Sequence, residues 1–196
     1  MPSSALAGIK TIVIVMLENR SFDHMLGYRS LDAFGKSAVD GLKDDQAWTA
    51  QVANPYNGNR YPPWHWKDPF CKMPGDPPHE RDNIALQVGA KTGDGFAMDG
   101  FVQNYAGVKG VSVTSANLPA VMGYFTPAEV PMSHFLAANF VICDRWFSAL
   151  PAGTQPNRLM AMSGVSKIDR NTNLLLPDQA LLYDWLSERN IRWRVY

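Results

Sequence analysis

The chain has 196 residues, 46% of them hydrophobic and 18% charged, with eighteen basic side chains balancing eighteen acidic ones. That length and composition suit one globular domain with a sizeable core, and the zero formal charge argues against a polyanion-binding surface, so no nucleic-acid partner is expected. No apolar run is long enough for a transmembrane segment. Too few residues precede the first apolar run to form a signal peptide, so the chain as written is expected in the cytoplasm. Cys71 and Cys143 lie in no CxxC pattern. A disulfide between them is one option and two separate thiols the favoured one; a zinc ribbon is excluded.

The first element is expected at residues 9–17, IKTIVIVML, a β-branched apolar run that reads as a strand buried on both faces of a parallel sheet. It stops at Glu18-Asn19. Ligands of open α/β sheets bind beyond the carboxyl ends of the strands, and a carboxylate beside a carboxamide there makes half a site for a hard cation. The ordinary use of the same pair is an ion pair with an arginine for Glu18 and a turn cap for Asn19. Next, Ser21 or Asn19 caps a short helical turn carrying Phe22, Met25 and Leu26, with Gly27 as its stop.

Regularity fades over residues 28–75, where Asn54-Pro55, Asn57-Gly58, Pro62-Pro63 and Pro74-Gly75 signal turns around Trp48, Trp64, Trp66 and Phe70. The aromatic side chains either line a pocket for an organic substrate or pin an irregular insertion to the body. Asp76-Pro77-Pro78-His79 leads into a helix over residues 80–88. Gly93-Asp94-Gly95 turns the chain, and residues 108–122 carry no readable pattern. Thr126-Pro127-Ala128-Glu129 has capping-box spacing, with Pro131 restarting a helix that runs to Asn139. A second short strand is expected at 140–143.

Thr154 is placed to cap a helix with Pro156 near its start, Leu159 and Met162 on its buried face and Gly164 at its end. A helix N-terminus favours a bound phosphate. A threonine hydroxyl there becomes a nucleophile only if a base or metal lowers its pKa; otherwise Thr154 is a cap worth about 1 kcal/mol. His79, at another helix mouth, can donate to a phosphate oxygen or simply sit at the surface. His24 and His134 fall in helical patterns and read as structural, while His65 is open. An amphipathic helix over 179–189 and a third strand over 191–196 complete a strand–helix–strand rhythm, the mark of a parallel α/β fold. A domain ending within such a strand would be the N-terminal part of a larger one. HExxH, GxSxG and Walker patterns are missing from the sequence, which removes the zinc-protease, serine-hydrolase and P-loop readings.

Several blocks together resemble a known family. VIVMLENRSFDHMLG is similar to the N-terminal signature of the bacterial phosphoesterase family that contains phosphatidylcholine-type phospholipases C and the related acid phosphatases. DPPH at 76–79, MDGFV at 98–102, the segment 122–164 and YDWLSERNIRWRVY at 183–196 resemble further blocks in the same order. The resemblance implies an alkaline-phosphatase-like α/β fold, a parallel-rich sheet with helices on both faces, of which residues 1–196 are the N-terminal part. It implies a phosphate ester or phospholipid substrate, a metal-binding pair in Glu18 and Asn19, a metal-touching nucleophile in Thr154, and His79 at the substrate phosphate. Asn157 and Arg158 match a recurring pair expected to scaffold. The cofactor implied is a divalent ion, Ca²⁺ or another hard cation. Gly153 stands where many members have proline, and the remaining metal carboxylates of the family lie in a C-terminal half not represented here. The alternative is a catalytically incomplete remnant acting as an interaction module. Family members are often exported, and substrate class and oligomeric state are not legible.

Overall fold

The computed structural model describes residues 8–68, 70, 72–93 and 95–196. Its class is α/β, as expected. Seven α-helices and six short strands alternate along the described residues: α1 Phe22–Met25, α2 Gln46–Val52, β1 Asn54–Tyr56, β2 Asn59–Tyr61, β3 Trp64–His65, α3 Arg81–Val88, β4 Lys91–Thr92, β5 Gly95–Phe96, α4 Phe101–Ala106, β6 Gly123–Tyr124, α5 Pro131–Asn139, α6 Thr154–Ser163 and α7 Leu182–Glu188. Three two-stranded sheets form. β1–β2 and β4–β5 are antiparallel, and β3–β6 is parallel with Trp64 opposite Gly123 and His65 opposite Tyr124.

The helices start and stop where local chemistry dictates. Ser21, rather than Asn19, caps α1, its hydroxyl accepting from the His24 amide at 3.2 Å. Asn19 instead takes a left-handed backbone, with φ at 72°. Asn57-Gly58 turns the β1–β2 hairpin with both residues at positive φ, the backbone that a two-residue turn between twisted strands requires. The carboxylate of Glu129 accepts from the amide and hydroxyl of Thr126 at 2.9 and 2.8 Å, and α5 then begins at Pro131. α7 is shorter than the expected 179–189, because Asp184 reaches back to the Leu181 amide at 2.8 Å and fixes the start there.

The expected strands at 9–17, 140–143 and 191–196 are not paired into a sheet. Ile12, Val13, Leu17 and Val141 are between 78% and 93% exposed. An apolar β-branched run states a demand for burial; it becomes a strand only when a neighbour takes up its N–H and C=O groups.

What packs instead is a core of Tyr28, Leu31 and Leu42, with Leu26, Trp48 and Tyr124 against it. The aromatic insertion is pinned to this body. The Trp64 indole donates to the Pro119 carbonyl at 3.0 Å, and Trp66 stacks on Phe125. His24 is buried edge-on to both Trp66 and Phe125, and His134 shares a 2.7 Å hydrogen bond with the fully buried Tyr28 hydroxyl, so both are structural. His65 stacks on Tyr124 and meets Glu129 at 3.1 Å, which joins β3 to the turn before α5. Burial works against Glu129, yet the hydrogen bonds from His65 and Thr126 hold its carboxyl below the ordinary range.

Buried Asn54 ties two further elements together. Its carboxamide oxygen accepts from the amides of Phe101 and Val102 at the start of α4, and its nitrogen donates to Met98. α4 can approach α3 closely because Gly100 has no side chain: a Cβ there would overlap the Leu86 carbonyl. Cys143 is a free, exposed thiol. Cys71 lies outside the described residues.

Candidate active site

α6 is the element on which the candidate site is built. Its sequence, TQPNRLMAMS, is dominated by good helix formers. Pro156 falls in the first turn, where the missing N–H has no intrahelical partner to lose. Gly164 ends the helix at a φ of 76°. The N-cap is Gly153 and Thr154 is the first helical residue, one position inside the expected cap. The Thr154 hydroxyl makes no hydrogen bond among the described residues, so it is not consumed by capping.

The turn before Thr154 is held by Asn157. Its carboxamide nitrogen donates to the carbonyls of Leu150, Ala152 and Gly153 at 3.1, 2.8 and 3.1 Å, and its oxygen accepts from the Leu150 amide at 3.0 Å. Scaffolding was the role expected of Asn157, and this is its structural form.

Glu18 is brought to the same helix. Its carboxylate meets the Arg158 guanidinium through Nη2 at 3.2 Å and Nε at 3.4 Å. Arg158 lies four residues after Thr154, one turn along the same helical face. Both partners are nearly half exposed, so the pair adds less than about 1 kcal/mol to stability. Its consequence is position: the end of the 9–17 run is held against the face of α6 that carries Thr154. Asn19 turns its carboxamide oxygen to Arg20 at 2.7 Å. Further along, burial first and the Asp40 charge second raise the Asp23 carboxyl above its ordinary range, while Asp40 itself is paired with Arg145 at 3.0 Å.

The His79 segment reaches α6 through a relay. Glu80, the residue before α3, accepts from the Asn171 amide at 3.1 Å. The Asn171 side chain accepts from the Gln155 amide at 2.8 Å, capping α6 from sixteen residues away. Gln155 in turn exchanges two hydrogen bonds with the Thr172 backbone. Gly153 belongs to the same arrangement, because a Cβ there would come within 2.6 Å of the Asn171 carboxamide nitrogen. Glycine at 153 therefore leaves room for Asn171. His79 is exposed, and its Nδ1 lies 2.8 Å from the Pro77 carbonyl. A carbonyl only accepts, so Nδ1 carries the proton and Nε2 is the nitrogen left for another partner.

Glu18, Asn19, Thr154 and His79 make no hydrogen bond to one another among the described residues; Arg158, Glu80 and Asn171 connect their segments. Those connectors were missed as site residues. The resemblance gives Arg158 only a scaffolding role, and Asn171 begins the stretch 171–177, which reads as a plain connector. A cap supplied by a distant loop leaves no local spacing to read. Among the described residues, no group of three His, Cys, Asp or Glu side chains is arranged to hold a metal ion. Glu18, Asn19 and Thr154 offer oxygen donors, the right chemistry for a hard cation, but only part of the shell of about six that such an ion takes.

On this α/β scaffold the start of α6 carries an unbonded hydroxyl, with a carboxylate from the end of an apolar run and a histidine-bearing segment tied to the same helix. The chain belongs to the Phosphoesterase family, whose sequence model matches residues 9–196. It is 33% identical to Non-specific phospholipase C5 of Arabidopsis thaliana over 204 residues, covering 96% of this chain and 37% of that protein. Against Non-specific phospholipase C4 of the same plant the identity is 34%, over 96% of this chain and 36% of the relative. Phospholipase C A of Mycobacterium tuberculosis (strain ATCC 25618 / H37Rv) is 27% identical over 97% of this chain and 38% of its own length. The chain thus spans well under half the length of these relatives. No helix among the described residues is long and apolar enough to cross a membrane.

Proposed function

We propose that this chain carries the nucleophile-bearing part of a phosphoric ester hydrolase of the phospholipase C or acid phosphatase type. The observation that carries the reading is the double tether of α6: Glu18 through Arg158 on the Thr154 face, and the His79 segment through Glu80 and Asn171 at the Thr154 turn. Thr154 Oγ attacks phosphorus in line, the leaving alkoxide departs with a proton, and a phospho-threonine forms that water hydrolyses to restore the hydroxyl. Asn157 holds the turn so that the hydroxyl keeps its heading. His79, with its proton on Nδ1, offers Nε2 to a phosphoryl oxygen or the leaving group when protonated. The backbone amides at the start of α6 face developing negative charge.

Glu18, Asn19 and Thr154 would hold a divalent cation, Ca²⁺ or another hard ion, with further ligands from outside this chain. Such an ion lowers the pKa of a bound hydroxyl and offsets phosphoryl charge. A cation there would compete with Arg158 for the Glu18 carboxylate.

The test is hydrolysis of p-nitrophenyl phosphate and of p-nitrophenylphosphorylcholine with and without added divalent ions. Thr154→Ala is expected to cost at least about a thousandfold in turnover; a variant as active as the parent overturns the nucleophile assignment. The unpaired apolar runs and the partial coverage of the relatives favour one second reading, a chain that is catalytically incomplete by itself and acts through its exposed apolar surface. Neither stoichiometric cation binding nor turnover in the same assay would select that reading.

A further inference from the structure

A groove of about 620 Å³ opens beside the α6 turn. Its rim includes Ala152, two residues before Thr154, and Thr172, whose amide is held by Gln155 at 2.8 Å. It also includes Arg81, the first residue of α3, next to the Glu80 that holds Asn171. The groove therefore adjoins the Glu80–Asn171 tether and the turn that carries Thr154. Its charged walls are Arg81, Lys167 and Arg170 against a single carboxylate, Asp169, which is already paired with Arg170 at 3.4 Å. Leu150, Leu174 and Leu175 make the apolar wall, and the last two are 80% and 98% exposed.

We propose that this groove is a specificity site that selects amphiphilic phosphoesters with a net negative headgroup over zwitterionic ones; the inference rests on the proposed phosphoesterase reading. Two guanidinium groups and an ammonium are among the residues that line the groove. A guanidinium binds a phosphate or carboxylate through two parallel N–H donors. Lys167 spends one of its three donors on the Asp178 carbonyl and keeps two. A trimethylammonium or ammonium headgroup brought to the groove meets like charge, which discriminates against it. The leucines beside the cations supply what an acyl chain needs and a free phosphate does not. A second cavity, of about 320 Å³, has the opposite lining in Trp48, Tyr124, Asp44 and Asp45, but shares no residue with the groove or with the α6 turn.

The test measures binding by calorimetry to the 196-residue chain at low salt, with dihexanoyl phosphatidylglycerol, dihexanoyl phosphatidylcholine and glycerol 3-phosphate, each below any micelle concentration. The glycerol lipid is expected to bind about tenfold more tightly than the choline lipid. That ratio is expected to fall toward one in the Arg81→Gln, Lys167→Gln, Arg170→Gln triple variant and to persist in Arg81→Lys, Arg170→Lys. Equal affinities for the two lipids, no binding of either, or an unchanged ratio in the neutral variant overturns the proposal. So does glycerol 3-phosphate binding as tightly as the lipid, since the apolar wall would then be idle. Turnover by Thr154→Ala is read separately: a preference that persists while that variant stays active overturns the catalytic reading and leaves the groove, and the reverse pattern does the opposite.

Discussion

At the scale of single residues, burial separates the histidines. His24 is 6% exposed, with its Nε2 buried and unbonded among aromatic rings. Burial first, and the Arg20 charge second, lower its pKa from 6.5 to about 4. The folded chain therefore binds fewer protons than the unfolded one between those values, and stability is complete above about pH 6.5 and erodes as pH falls toward 4. At about 1.4 kcal/mol per unit the loss approaches about 3 kcal/mol. Urea unfolding at pH 7.5 and pH 4.5 is expected to show it, with the difference much reduced in His24→Phe, whose ring fits the aromatic pocket and cannot titrate. An equal pH response in His24→Phe would mean that other groups carry it. His79 is the contrary case, exposed and with one nitrogen committed to a carbonyl, which leaves Nε2 open as the proposed mechanism requires.

At the scale of elements, the start of α6 is set by side chains that satisfy backbone groups. Asn157→Ala would leave several carbonyls and one amide of the 150–153 turn without partners. The expected cost is about 2 kcal/mol, read as a lower denaturation midpoint, together with a fall in kcat larger than any change in KM because the hydroxyl loses its heading. Much of this element was legible: the Pro156 position, the Gly164 stop and the buried Leu159 all follow from local rules, as do α5 after Pro131 and the turn at Asn57-Gly58. What was illegible depended on partners distant in sequence. Asn171 caps α6 from a connector, Asn54 caps α4 from a hairpin, and β3 finds β6 across nearly sixty residues with two residues on each side. The 9–17 run shows the converse. Its apolar pattern was correctly seen, but pairing belongs to the neighbour as much as to the strand, and among the described residues it has none.

At the scale of the whole molecule, the small core around Tyr28 coexists with many exposed large apolar side chains, among them Ile12, Leu17, Val141, Trp146 and Leu175. The chain belongs to the Phosphoesterase family and spans well under half the length of its relatives; under the proposed function it would supply a hydroxyl, one carboxylate, one carboxamide and a histidine, with the Glu18–Arg158 pair bringing the carboxylate to α6.

The most direct measurement is to locate the phosphoryl group after reaction. The chain is mixed with a phosphoester and divalent cation, quenched in acid, and its peptides are mapped by mass spectrometry. The mechanism predicts phosphate on Thr154, with the label lost in Thr154→Ala and strongly reduced in Glu18→Gln. Turnover that leaves Thr154 unmodified at every quench time, and that survives in Thr154→Ala, would contradict it.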